Sequence, residues 1–402
     1  MKSILSTICI VLFSLNSIAQ TTDFYKEKWS RVRVLELGDR LEDAGKTLDS
    51  IESQANKSQD KQQLIKIFLF RSKYSMVREE NAEQRILQDL DALIKTATFP
   101  EQNIYQAIYG HLLYGYLQNN QYRIRDRTAG GVIDKSDFLT WDINLFYTEL
   151  NNRYALALQH PEKLVLLPVK DYELLLDMAP QTRALQPSLL DIIAVEAMTF
   201  YKSNDWYRVK PEETFKLHVD NVYLPTAAIK QLTAPDVDAN NLELRVLQLY
   251  ALLEDLHLKN GNIPAHIFNY KNRLEYGYQK TARNQEASSY ETALQGLIER
   301  HSSNQEITMV HRTLADYYYN LSGSTATTES KAWRAKAIET ATAGVNLFEE
   351  SYGGMQCQLF LDQMLAPELS LQTENYAASK DNKRAVLSYR NVDQVQVRIL
   401  RV

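Results

Sequence analysis

Apolar positions along this 402-residue chain recur at helical spacing over most of its length. Ile86, Leu87, Leu90, Leu93 and Ile94 fall on one helical face, and Pro100 ends that segment. Ile104, Ile108, Leu112 and Tyr116 make the next stripe, each one turn beyond the last. Thr140 is read as the N-cap of a helix through Ile143, Phe146, Leu150 and Tyr154, with Asp142 in its first turn. Pro161, Pro168, Pro180 and Pro187 then break the pattern, leaving a short helix near 169–178 and a longer one near 189–201. Pro211, Pro225 and Pro235 mark 202–240 as a connection with a short helix around 225–231. Beyond it, four more amphipathic faces follow: Leu242 to Leu256, Tyr290 to Ile298, Ile307 to Leu321, and Ile338 to Phe348, the last after the loose loop 322–330.

At the tail the period changes from helical to two. Val386, Leu387 and Tyr389 lie in an extended run, and Val395, Val397 and Ile399 alternate with Gln396, Arg398 and Leu400. Asn391 to Gln394 supply turn-forming residues between them, so the pattern predicts a β-hairpin of these two runs. The fold expected is mainly α: a tetratricopeptide-like stack of helical hairpins ending in a short β-hairpin. Its divisions are a signal peptide at 1–19, a helical region at 20–201, the connection at 202–240, helical hairpins at 241–380, and a β-segment at 381–402.

Composition narrows the function more than it identifies it. Hydrophobic residues at 45% and charged residues at 24% are ordinary for a globular protein, and a net charge of −5 advertises no face for nucleic acid. Lys2, the apolar run Ile4–Phe13 and the small-x-small triplet Ser17-Ile18-Ala19 have the form of a secretory leader, whose removal takes the charge to −6. No later run is long and apolar enough to span a membrane, so the mature chain is expected to be exported and soluble. Cleavage leaves Cys357 alone, without an intramolecular disulfide partner, and a small buried helix residue is the reading.

Chemistry-bearing motifs are sparse. No Gly-rich phosphate loop is present, and turns account for Gly130-Gly131 and Gly353-Gly354. The seven histidines lack helical zinc spacing, so neither metal nor cofactor is expected, and no catalytic residue is assigned. "YRIRDRT" places Arg123, Arg125 and Arg127 on one side if extended, forming an anion or carboxylate clamp. The same arginines would equally serve as cations after a helix C-terminus, paired with Asp126. Of Tyr317, Tyr318 and Tyr319, one or two are expected to pack in the core.

Three stretches carry a resemblance: "YQAIYGHLLYGYLQNNQYRIRDRT" (105–128), "LTWDINLFYTELNNRYALAL" (139–158) and "ALQPSLLDIIAVEAMTFY" (184–201). With "FEESYGGMQCQLFLDQMLAPELSLQTENY" and "VLSYRNVDQVQVRILRV" in the tail, they resemble the N-terminal region of bacterial alpha-2-macroglobulin family proteins of the long form found in Bacteroidota. The resemblance implies an exported endopeptidase inhibitor in the periplasm or cell envelope of a Gram-negative bacterium, a protease trap whose partner is a target protease or another envelope protein. It also implies that the tail begins a macroglobulin-type β-sandwich, truncated here. Cys357 is followed by Gln358-Leu359-Phe360, not by the Glu-Gln of a thioester, and no functional residue carries over. The chain by itself is therefore expected to scaffold and not to inhibit. The alternative is a stand-alone periplasmic helical-repeat module that binds proteins.

Overall fold

The computed structural model describes residues 23–127, 134, 137–203, 209–281, 287–323, 327–373 and 384–398. The leader at 1–19, Gly130-Gly131 and Ile399–Leu400 lie outside them. The chain divides into two compact units, one of residues 1–215 with 233–249, the other of 216–232 with 250–402.

The first unit opens with helix α1 (23–37), followed by α2 (Leu41–Ser58), α3 (Lys61–Arg78), α4 (Ala82–Thr96) and α5 (Glu101–Asn119). Each of α2 to α5 packs against its neighbour in sequence. Short α6 (Gln121–Arg125) leads to α7 (Ile143–Ala157), then to α8 (Pro161–Leu164), α9 (Thr182–Leu185) and α10 (Leu189–Tyr201). The stripe expected in α4 is real: Ile86, Leu87, Leu90 and Ile94 are buried. Val32, Leu48, Ile51 and Ala55, all fully buried, hold α1 and α2 together.

Two expectations shift for local reasons. Asp142, not Thr140, caps α7, accepting from the Leu145 amide at 2.8 Å. A carboxylate here satisfies one of the helix's unpaired N–H groups, while the Thr140 hydroxyl is used within a preceding 3₁₀ turn. The helix expected near 169–178 is a single 3₁₀ turn, Val169–Tyr172, because an antiparallel bridge between Pro168 and Ser188 ties this segment to the start of α10. Ser188 and Asp191 cap α10 reciprocally.

In the second unit, short α11 (Val219–Val222) and α12 (Thr226–Ile229) precede α13 (Leu242–Lys259), whose later residues belong here, and α14 (Ile263–Thr281). Then come α15 (Ala287–Arg300), α16 (Ile307–Ser322), α17 (Thr328–Leu347) and α18 (Tyr352–Leu365). Their core includes Ile267, Leu274, Leu294, Leu297 and Val310 at zero exposure. Residues 216–232 are packed into this unit through fully buried Val222 and Ile229. Arg273 secures them: its Nη1 donates to the Val222 and Leu224 carbonyls at 3.0 and 3.3 Å, and its Nε to Glu254 Oε1 at 2.6 Å. Thr226 donates to the other Glu254 oxygen at 2.6 Å, so this fully buried ion pair is satisfied on both sides.

Gly353 and Gly354 are the first turn of α18 and not a free turn. A Cβ on Gly353 would run into the Met309 backbone nitrogen and the Thr308 side chain, so α18 starts where only glycine lets it meet α16.

The tail does form an antiparallel hairpin, but with a different partner from the one the alternation predicted. Strand β2 (Ala385–Arg390) pairs with β1 (Glu368–Thr373), in the register Leu369↔Tyr389 and Leu371↔Leu387. Residues 391–398 form no strand. Asn391 adopts a left-handed φ of 55° and turns the chain away, and its side-chain amide donates to the Met364 and Ala366 carbonyls at 2.7 and 3.1 Å. What read as a turn is thus a clasp on the end of α18, supplying donors its last carbonyls lack.

Candidate functional site

Directly opposed residues of a sheet share a face, so the register sorts the hairpin into two surfaces. Leu369, Leu371, Leu387 and Tyr389 share one face, with Thr373 and Ala385 at its end. Glu368, Ser370, Gln372, Ser388 and Arg390 dominate the other, with Val386. The apolar face is uncovered: Leu369 is 56% exposed, Leu371 55% and Tyr389 64%. Its base is fixed, since Arg390 pairs with Glu368 at 2.6 Å and donates to the Gln363 carbonyl at 3.1 Å. A two-stranded sheet with one apolar face gains most by laying it on another apolar layer, and its backbone edges can extend into a larger sheet.

The arginine segment is helical, and this separates its members. Gln121–Arg125 form α6, so Arg125 points away from its neighbours and leans on Asp126 at 3.4 Å. Arg123 and Arg127, with Tyr116 and Asp126, border a shallow depression of about 370 Å³. Arg123 Nη2 donates to the Tyr116 hydroxyl at 3.0 Å and to Asn120 Oδ1 at 2.9 Å, and Arg127 Nη1 donates to the Trp141 carbonyl at 2.8 Å. The three-arginine clamp on an extended strand is therefore not formed; its donors tie α5, α6 and the start of α7 together.

A larger groove of about 880 Å³ lies along α3 and α4. Leu64, Ile67, Phe68 and Ile86 line it, together with four cationic and four acidic side chains. Arg71 is held there by Glu52 at 2.7 Å and Asp49 at 2.8 Å. Balanced rim charge over an apolar floor suits a peptide surface better than a polyanion.

Cys357 is fully buried on α18, and burial pushes its thiol up to about 11, so the group is an inert packing residue at neutral pH. Tyr317 and Tyr318 are buried and Tyr319 is 37% exposed, in accord with the packing expectation. His266 and His301 do meet, with ring centroids 5.2 Å apart, a proximity their sequence separation conceals. Burial lowers the pKa of both, and Arg300 opposes their protonation further. Among the described residues no group of three or more His, Cys, Asp or Glu side chains is arranged to hold a metal ion. Nor, among them, is any helix long and apolar enough to cross a membrane.

Sequence reasoning missed β1, the buried Glu254–Arg273 pair and both grooves. The alternation of Leu369, Leu371 and Thr373 was the available signal for the strand. The chain matches no family model, no curated protein and no solved structure.

Proposed function

We propose that this chain is a non-enzymatic helical scaffold of an exported, alpha-2-macroglobulin-like endopeptidase inhibitor, acting by presenting surfaces to other protein layers in the cell envelope. The uncovered apolar face of the β1–β2 hairpin carries the reading. Its Leu369, Leu371 and Tyr389 side chains suit contact with a second sheet, as at the opening of a β-sandwich. The family resemblance in the sequence supports the same assignment, and the scaffold alone is not inhibitory in this reading.

The test is a protease-trapping assay on the polypeptide recovered from cell envelopes with an antibody against the helical region. After incubation with a broad-specificity protease, hydrolysis of a protein substrate should fall while cleavage of a short peptide persists. Recovery of a polypeptide no longer than this chain, or undiminished protein hydrolysis by the protease in the presence of a longer one, would sink the inhibitor assignment.

The groove along α3 and α4 favours a second reading, a periplasmic helical-repeat module that binds proteins. In that case a defined protein ligand should bind the chain with no protease present, and Phe68→Glu in the groove should abolish binding while hairpin substitutions leave it intact.

A further inference from the structure

A second, smaller groove in the first unit is built differently. Ile104, Ile108 and Leu112, one turn apart along α5, form its floor. Leu69 on α3 and Ile192 on α10 stand among its walls. Its volume is about 340 Å³, the scale of a small-molecule pocket. Tyr172 is the single phenolic or phenyl ring in a lining otherwise dominated by aliphatic side chains, so the walls offer little for flat stacking. From Ile104 to Leu112 the floor runs about 12 Å, the reach of an extended aliphatic chain of roughly ten carbons.

Polarity is concentrated in one pair. His111 Nδ1 and Glu196 Oε2 stand 2.8 Å apart, both residues lining the groove. That contact engages one ring nitrogen and one carboxylate oxygen, leaving Nε2 and Oε1 for a ligand. A hydroxyl can donate to the free Glu196 Oε1 without disturbing the pair. A charged head finds no unpaired countercharge at this pair, because the ring and the carboxylate already partner each other.

We propose that this groove binds a single-chain aliphatic amphiphile with an uncharged, hydrogen-bonding head, of the long-chain alcohol type, with the tail along α5 and the head at His111 and Glu196. This assignment is independent of the hairpin and of any protease.

Calorimetric titration of the full chain with n-hexanol, n-octanol, n-decanol and n-tetradecanol tests it. Binding should be saturable at one site and tighten about threefold to fourfold per methylene, then level off near n-decanol as the floor ends. Ile108→Trp, which fills the groove, should weaken n-decanol binding by more than about tenfold while helical content and melting stay native. Glu196→Gln and His111→Ala should each cost about threefold to tenfold without changing the dependence on chain length. The proposal is overturned by an absence of saturable binding, or by affinity that climbs steadily to n-tetradecanol as in bulk partitioning. Unchanged binding in a natively folded Ile108→Trp protein would overturn the tail site, and unchanged binding in both head variants would overturn the head assignment.

Discussion

At the residue scale, the second unit depends on one cation with no access to water. Arg273 is fully buried with Glu254, and its guanidinium lies 4.6 Å from the Tyr270 ring. Removing one member leaves the other charge buried and uncompensated, which costs far more than the intact pair contributes over an apolar substitute. Arg273→Met should destabilise this unit by about 3–5 kcal/mol in urea unfolding, and adding Glu254→Leu should recover much of that loss. Gly353→Ala should cost about 1–3 kcal/mol, because its methyl group has nowhere to go against Met309. Such residues were poorly legible in advance. Cys357 reads as buried because a lone thiol on a helix behaves as a small hydrophobe, whereas nothing in the sequence marks Arg273, because its partners Val222, Leu224 and Glu254 converge only in space.

Among elements, the long helices were legible because each buries a continuous stripe, and a stripe survives any detail of what packs on it. Leu189–Tyr201 has the bounds its pattern implied, and Leu242, Val246, Leu249 and Leu253 are buried as spaced. The tail was only half legible. Turn chemistry at Asn391 was real in kind, yet its side chain is spent on α18, so the nearest alternating run was the wrong partner. Strand pairing is a long-range choice, and sequence proximity is a poor guide to it. Since Leu369 and Leu371 are exposed on the apolar face of β1–β2, Leu369→Lys with Leu371→Lys should leave the melting temperature unchanged and reduce self-association in sedimentation velocity. A fall of several degrees would mean that the face is already packed in solution.

Across the whole molecule, the two units should answer mild acid in opposite senses. Burial lowers the pKa of His266, His301 and His311 in the second unit. The unfolded chain then takes up protons first, so stability complete above about pH 6.5 is lost as pH falls towards the folded values. His111, in the first unit, is raised by its hydrogen bond to Glu196. Its contribution is complete below about pH 6.5 and disappears as pH rises through the folded value. Calorimetry at about pH 8 and about pH 5.5 should show the second unit's transition moving down on acidification, and His301→Gln should flatten that shift. Acid lability of the first unit alone would contradict the histidine account. The division between units could not be read from the prolines at 202–240, because residues 216–232 and 233–249 belong to different units.

The clasp at Asn391 has a topological consequence. Its amide reaches the Ala366 carbonyl at 3.1 Å, so the chain leaves α18 and returns to it at nearly the same point. Everything between is an excursion with coincident ends, and a detour of that kind can be shortened, lengthened or exchanged without redirecting the path on either side. The hairpin is thereby a replaceable cassette: its contacts are free to diversify while the helices that carry it stay as they are.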